Sequence, residues 1–248
     1  MRNFDRVAGI YDSTRKLPDP VMSTVVEALA TELQDRGAIL DAGVGTGRFA
    51  GPLRDKGLDV VGLDVSQAML SEAKRKSLQD LVRGELTTMP FTDKAFDSCL
   101  MIHILHLVED PASLLSEVAR VCRTKVVSLA ETSDTVSVRE DYIRLSSEAG
   151  YGWGGISETK LTSLVSPAKL TDIVSYSVET DIGGEIEYFR NRLSAVTWDL
   201  PEKIHEGIIA KLESTLSPGI SKCNRTIKLA AWEVDSIQSA IPSLVGRD

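Results

Sequence analysis

The chain has 248 residues, 42% hydrophobic and 26% charged, with a formal net charge of −8, the profile of one globular α/β domain with a sizeable core. The acidic balance argues against a large nucleic-acid substrate, which calls for a basic stripe to displace counterions, and no apolar run reaches the length of a membrane span. The opening Met1-Arg2-Asn3-Phe4-Asp5-Arg6 has no secretory character, and Cys99, Cys122 and Cys223 lie too far apart for a disulfide framework or zinc spacing, so a cytoplasmic setting and no metal are expected.

In chain order, Val21, Val25, Val26, Leu29, Ala30 and Leu33 recur at helical spacing, and Gly37 follows as a stop signal. Ala38 to Asp41 predicts a short apolar strand. Gly47 to Lys56 predicts a helix, with Pro52 tolerable in its first turns. Leu58 to Leu63 reads as a strand buried on both faces, and Ser66 as the N-cap of a helix through Lys76. Leu81 to Arg83 and Phe96 to Ile102 predict the next strands. Asp110-Pro111 opens a helix with Leu114, Leu115, Val118 and Val121 on its apolar face, and Lys125 to Ala130 predicts a fifth strand. Such alternation implies right-handed crossovers and a doubly wound, mostly parallel sheet with helices on both faces.

The second half is less regular. Tyr142 to Leu145 and Leu161 to Leu164 are helix-compatible. Thr171 to Val178 reads either as a helix end or as a strand. Ile186 to Thr197 and Glu202 to Leu216 predict helices separated by Leu200-Pro201, and Cys223 to Val234 predicts a late strand. The expected organisation is a single domain over 1–248, with a small helical cap inserted at approximately 139–216.

The central motif is Asp41-Ala42-Gly43-Val44-Gly45-Thr46-Gly47-Arg48, after a predicted strand and opening a helix. Glycines there let the backbone turn tightly and approach a ligand. Asp64 ends the next predicted strand, where a carboxylate can accept hydrogen bonds from the ribose hydroxyls of an adenosine cofactor. A dinucleotide loop spaces its glycines G-x-G-x-x-G to fit a pyrophosphate. Here Gly43, Gly45 and Gly47 are spaced G-x-G-x-G.

With Asp41 in front, this loop resembles the D-x-G-x-G-x-G motif of class I S-adenosylmethionine-dependent methyltransferases, and Arg190 to Pro201 faintly resembles a cap helix of the type 11 members. Gly84-Glu85-Leu86-Thr87-Thr88-Met89-Pro90-Phe91 is similar to the family segment G-D-x-x-x-L-P-F, with Glu85 and Met89 where Asp and Leu are common. Phe4 to Asp12 resembles an N-terminal segment that folds over the cofactor in the family. The resemblance runs from Phe4 to about Glu131. It implies a seven-stranded sheet, S-adenosylmethionine as cofactor, and a binding set of Tyr11, Asp41, Ala42, Gly43, Gly45, Gly47, Asp64, Val65, Met69, Glu85, Leu86 and His103. Asp41 would support the methionine end, while Glu85 and its neighbour would meet the adenine.

His103 follows the fourth strand, where it can line the pocket or, for a hydroxyl acceptor, act as general base. Trp153, Arg192 and Trp198 fall in the expected cap. They are candidates to wall an acceptor pocket, with Arg192 holding an anionic group; ordinary packing is the alternative for each. The expected reaction is in-line methyl transfer to a small-molecule acceptor. A nicotinamide-dependent oxidoreductase and a non-catalytic cofactor-binding partner protein are the rival readings. Neither the acceptor nor the oligomeric state is legible.

Overall fold

The computed structural model describes residues 4–34, 37–152 and 155–245. Its strands are β1 (Ile39–Ala42), β2 (Val60–Asp64), β3 (Leu81–Arg83), β4 (Phe96–Leu100), β5 (Cys122–Ser133), β6 (Lys169–Asp181) and β7 (Ile220–Glu233). They form one seven-stranded sheet in the order β3-β2-β1-β4-β5-β7-β6. β1 pairs in parallel with β2 and with β4, β2 with β3, and β4 with β5. The last pair is antiparallel: Ser175 meets Thr226 at 2.8 Å, Ser177 meets Asn224 at 2.7 Å and Glu179 meets Lys222 at 3.0 Å, so one index rises as the other falls. The sheet is thus mostly parallel and doubly wound. Its strand order reverses between β1 and β4, the kind of switch point at which α/β sheets open a ligand crevice.

All four residues of β1 are buried. Such a strand reads as a continuous apolar run because helices cover both of its faces. The helix Asp19–Leu33 buries Val21, Val25, Val26, Leu29, Ala30 and Leu33, the spacing legible in the sequence. The helix Pro111–Val121 buries Leu114, Leu115, Val118 and Val121, and begins at Asp110, whose side chain accepts from the Ser113 N–H. These join Trp232, Val234 and Ile237 in the main core. Cys99 and Cys122 are fully buried in that core, and Cys223 is buried elsewhere.

The chain divides into two compact units, one of residues 1–131, 155–174 and 227–248, the other of 132–154 and 175–226. The second has its own core, built on Tyr142, Ile186, Phe189, Val196, Ile208, Ile209 and Leu212. Inside it the Tyr142 hydroxyl lies 2.6 Å from His205 Nδ1, and His205 Nε2 lies 3.2 Å from the Arg190 carbonyl. A carbonyl only accepts, so Nε2 carries the proton and Nδ1 accepts from the tyrosine.

Three elements differ from expectation. The helix after the glycine-rich loop spans only Ala50–Asp55, because Gly47 stands at φ +73°. The helix expected over Ile186 to Thr197 begins earlier and stops earlier, spanning Ile182–Arg190. Arg192 at φ +52° turns the chain, with its N–H on the Phe189 carbonyl and the Leu193 N–H on the Tyr188 carbonyl. That double closure normally employs glycine. The ambiguous stretch Thr171 to Val178 lies within strand β6. Among the described residues no helix is long and apolar enough to cross a membrane.

Candidate cofactor site

The loop that follows β1 is held against β2 by backbone and side chain together. The Gly43 and Val44 N–H groups both donate to the Leu63 carbonyl, at 2.8 and 3.0 Å. The Gly45 N–H donates to Asp64 Oδ2 at 2.9 Å, and the Ser66 N–H donates to Asp64 Oδ1 at 2.8 Å. One carboxylate therefore ties the glycine-rich loop to the start of the helix Gln67–Arg75. Two of the glycines sit in crowded surroundings where a side chain would have to displace its neighbours. A Cβ on Gly43 would stand 2.4 Å from Ile104 Cδ1, and one on Gly47 would stand 2.1 Å from Leu78 Cδ1. Both also take positive φ, where a side chain is strained.

Asp41 lies just before this loop, only 5% exposed. Burial, and secondarily the charge of Asp64, raise its pKa to about 7. Asp64 is also raised, chiefly by burial. Burying a carboxylate is costly, and a cationic ligand group offsets that cost.

The N-terminal segment reaches the same place. The Thr46 hydroxyl donates to Asp12 Oδ1 at 2.6 Å, and Lys76 Nζ donates to the Thr46 carbonyl at 2.9 Å while pairing with Asp12. Asp5 accepts from the Ser66 hydroxyl and from the Ala68 N–H, supplying a negative charge at the N-terminus of the helix Gln67–Arg75. Tyr11, edge-on to Phe4 at 6.1 Å, is part of this segment.

Residues 40–128 match a family described as Methyltransferase domain. Over 126 residues the chain is 36% identical to the demethylmenaquinone methyltransferase of Renibacterium salmoninarum, covering 48% of this chain and 52% of that protein. Over 138 residues it is 30% identical to the malonyl-[acyl-carrier protein] O-methyltransferase of Serratia marcescens, covering 55% of this chain and 53% of that one. The chain thus spans about half the length of the curated relatives it matches. A SAM-dependent methyltransferase from Aquifex aeolicus shares the fold at 16% identity, with a TM-score of 0.52 over 69% of this chain and 94% of that one. Residues 40–128 are thus similar to a methyltransferase domain, and the chain shares the fold of a SAM-dependent methyltransferase.

The residues singled out in the sequence mostly gather at the carboxyl ends of adjacent strands. Asp41 and Ala42 end β1, Asp64 ends β2 and is followed by half-buried Val65, and buried Met69 lies in the next helix. Exposed Glu85 and fully buried Leu86 follow β3. His103, half-buried at φ +56°, follows β4. Trp153 lies outside the described residues. Arg192 and Trp198 belong to the second unit and serve each other's turn there. Arg192 donates to the Thr197 carbonyl, to the Leu200 carbonyl at 3.1 Å and to Glu202 at 2.9 Å, and Trp198 Nε1 donates to the Arg192 carbonyl at 2.8 Å.

The sequence reading missed Asp5, Asp12 and Lys76. Their partnerships span 61, 34 and 64 positions, and no local spacing rule connects residues so far apart. The one available signal was the acidic character of an N-terminal segment already singled out.

Proposed function

We propose that this chain transfers a methyl group from S-adenosylmethionine to a small-molecule acceptor by in-line displacement. The observation that carries the reading is the buried carboxylate of Asp41 beside a glycine-rich loop pinned by Asp64. The residues present suit the cofactor. Asp41 meets the ammonium of the methionine end, directly or through water. Each Asp64 oxygen holds one backbone N–H and keeps a lone pair for a ribose hydroxyl. Glu85 and its neighbour Leu86 meet the edge of the adenine, and buried Met69 packs behind the site. When bound, the cofactor supplies a methyl on a sulfonium that leaves as a neutral thioether.

The chain's own task is alignment and exclusion of water, which together can lower a barrier by several kcal/mol. Asp12 ties the N-terminal segment to Thr46, and Tyr11 of that segment is the proposed cover. His103 lines the pocket, and serves as base only for an acceptor that arrives protonated. Acceptor selection falls to the region approximately 139–216, which is divided between the two units and includes strand β6 as well as helices. Trp198 contributes a wall there. Arg192 binds an acceptor anion only by releasing the acceptors it holds in its turn.

Calorimetric titration of the purified protein with S-adenosylmethionine, S-adenosylhomocysteine and NAD tests the reading, with Asp64→Ala in parallel. The methionine pair binds and the variant binds it at least about tenfold more weakly, the loss of about 1.4 kcal/mol expected for charged hydrogen bonds. Binding of NAD alone overturns the proposal.

A further inference from the structure

We infer that Glu117 and Arg120 are positioning residues for the adenine edge of the cofactor site, a clamp that fixes the 84–91 segment after β3. The inference rests on the S-adenosylmethionine reading of that site.

The segment is anchored at both ends. At its start, the Gly84 N–H donates to the Asp64 carbonyl at 3.0 Å. A Cβ on Gly84 would stand 3.0 Å from Pro90 and 3.1 Å from Leu63, so the backbone is pressed against its own far end. At its finish, the helix Pro111–Val121 takes hold. Arg120 Nε and NH2 each donate to a Glu117 oxygen at 2.7 Å, a bidentate fork. The remaining donors reach the Met89 carbonyl at 3.1 Å, the Phe91 carbonyl at 2.7 Å and Asp93 at 2.9 Å. Glu117 Oε2 in turn accepts from the Met89 N–H at 2.6 Å. The Arg120 hydrogen bonds hold the Glu117 carboxyl below its usual range.

Met89 is thus gripped through its N–H and its carbonyl by two residues one helical turn apart. Between the two anchors lie Glu85 to Thr88, the stretch that faces the adenine in the proposed site. Two fixed ends leave that stretch little freedom, and a binding edge held in its bound shape loses less entropy on binding. Only a planar group with five donors can serve a carboxylate and two carbonyls at once, so lysine is no substitute for Arg120. As a mere surface ion pair the Glu117–Arg120 contact would contribute little. Its consequence lies in the backbone it holds.

The test compares wild type with Arg120→Gln, Arg120→Lys and Glu117→Gln, each confirmed folded by its melting curve. Affinities are measured for S-adenosylhomocysteine and for S-inosylhomocysteine, which differ only in the base. Positioning predicts an affinity for S-adenosylhomocysteine about tenfold weaker in both Gln variants, a smaller loss in Arg120→Lys, and a preference for adenine over hypoxanthine that shrinks toward one. Folded variants with wild-type affinity and preference overturn the inference, whatever their melting temperatures. If the variants do not fold, hydrogen exchange of the Met89 amide in wild type decides: slowing on addition of S-adenosylhomocysteine supports the clamp, and no change overturns it. A wild type that binds neither ligand overturns the cofactor reading instead, and the clamp's role falls with it.

Discussion

Asp41 carries opposing demands on stability and binding. Its pKa of about 7 exceeds the ordinary carboxylate value, so the folded state holds a proton that the unfolded chain has released. Stability from this group is present below the unfolded value and is lost as pH rises through about 7. Asp41→Asn should therefore raise the melting temperature at pH 8 by about 3 °C or more, a gain that fades at pH 4, while weakening S-adenosylmethionine binding. A variant less stable than wild type at pH 8 would refute the placement of an ionised carboxylate in that pocket. For the same reason cofactor affinity should fall as pH drops below 7. Calorimetry at pH 6 in buffers of different ionisation enthalpy should show close to one proton released on binding. His205 has the opposite sign of pKa shift: burial lowers its pKa, so its contribution is complete above the unfolded histidine value and is lost as pH falls toward the lowered one. Tyr142→Phe leaves the buried Nδ1 without its donor and should cost about 1–3 kcal/mol at pH 8, read from urea unfolding.

At the scale of elements, the helix Gln67–Arg75 shows how the site depends on caps. Ser66 accepts from the Met69 N–H at 3.1 Å, and its own hydroxyl reaches Asp5. Ser66→Ala should cost about 1 kcal/mol and speed hydrogen exchange in residues 5–14 as well as in the helix. Exchange unchanged in 5–14 would show that Asp5 does not depend on that cap. The elements that position the cofactor were legible from their residues. β1 and β2 are short apolar strands that each bring an aspartate toward the carboxyl end, Ser66 and Asp110 are standard caps, and the spacing of Gly43, Gly45 and Gly47 separated this loop from a dinucleotide one. β6 was ambiguous because it is an edge strand: among Lys169–Asp181 no residue is fully buried, so the apolar signal that marks an interior strand is missing. The end of Ile182–Arg190 was misread because Arg192 occupies the position where glycine ordinarily announces a stop. The Glu117–Arg120 clamp gave no signal at all, since two charges three apart on a helix read as a solvated pair.

At the scale of the molecule, two cores imply that damage to one can spare the other. Phe189 is 3% exposed and stacks on Tyr142 at 5.0 Å in the second unit. Phe189→Ala should cost about 3–5 kcal/mol there and raise hydrogen exchange across 132–154 and 175–226. S-adenosylhomocysteine binding, which the proposed site assigns to the first unit, should stay near the wild-type value. Simultaneous loss of both would show that the units stand or fall together. The expected cap was readable only as a zone of irregular helices. Its packing depends on contacts such as Tyr142 with His205, 63 positions apart, beyond the reach of periodicity.

The three thiols turn this division into a clock. Cys99 and Cys122 are sealed in the core of the first unit and Cys223, 8% exposed, belongs to the second. An alkylating reagent reaches them only as their surroundings open, so each labelled peptide timestamps the opening of its own region. Under mild denaturant, mass-resolved labelling would record the order in which the two units let go, with no dye or tag added to the chain.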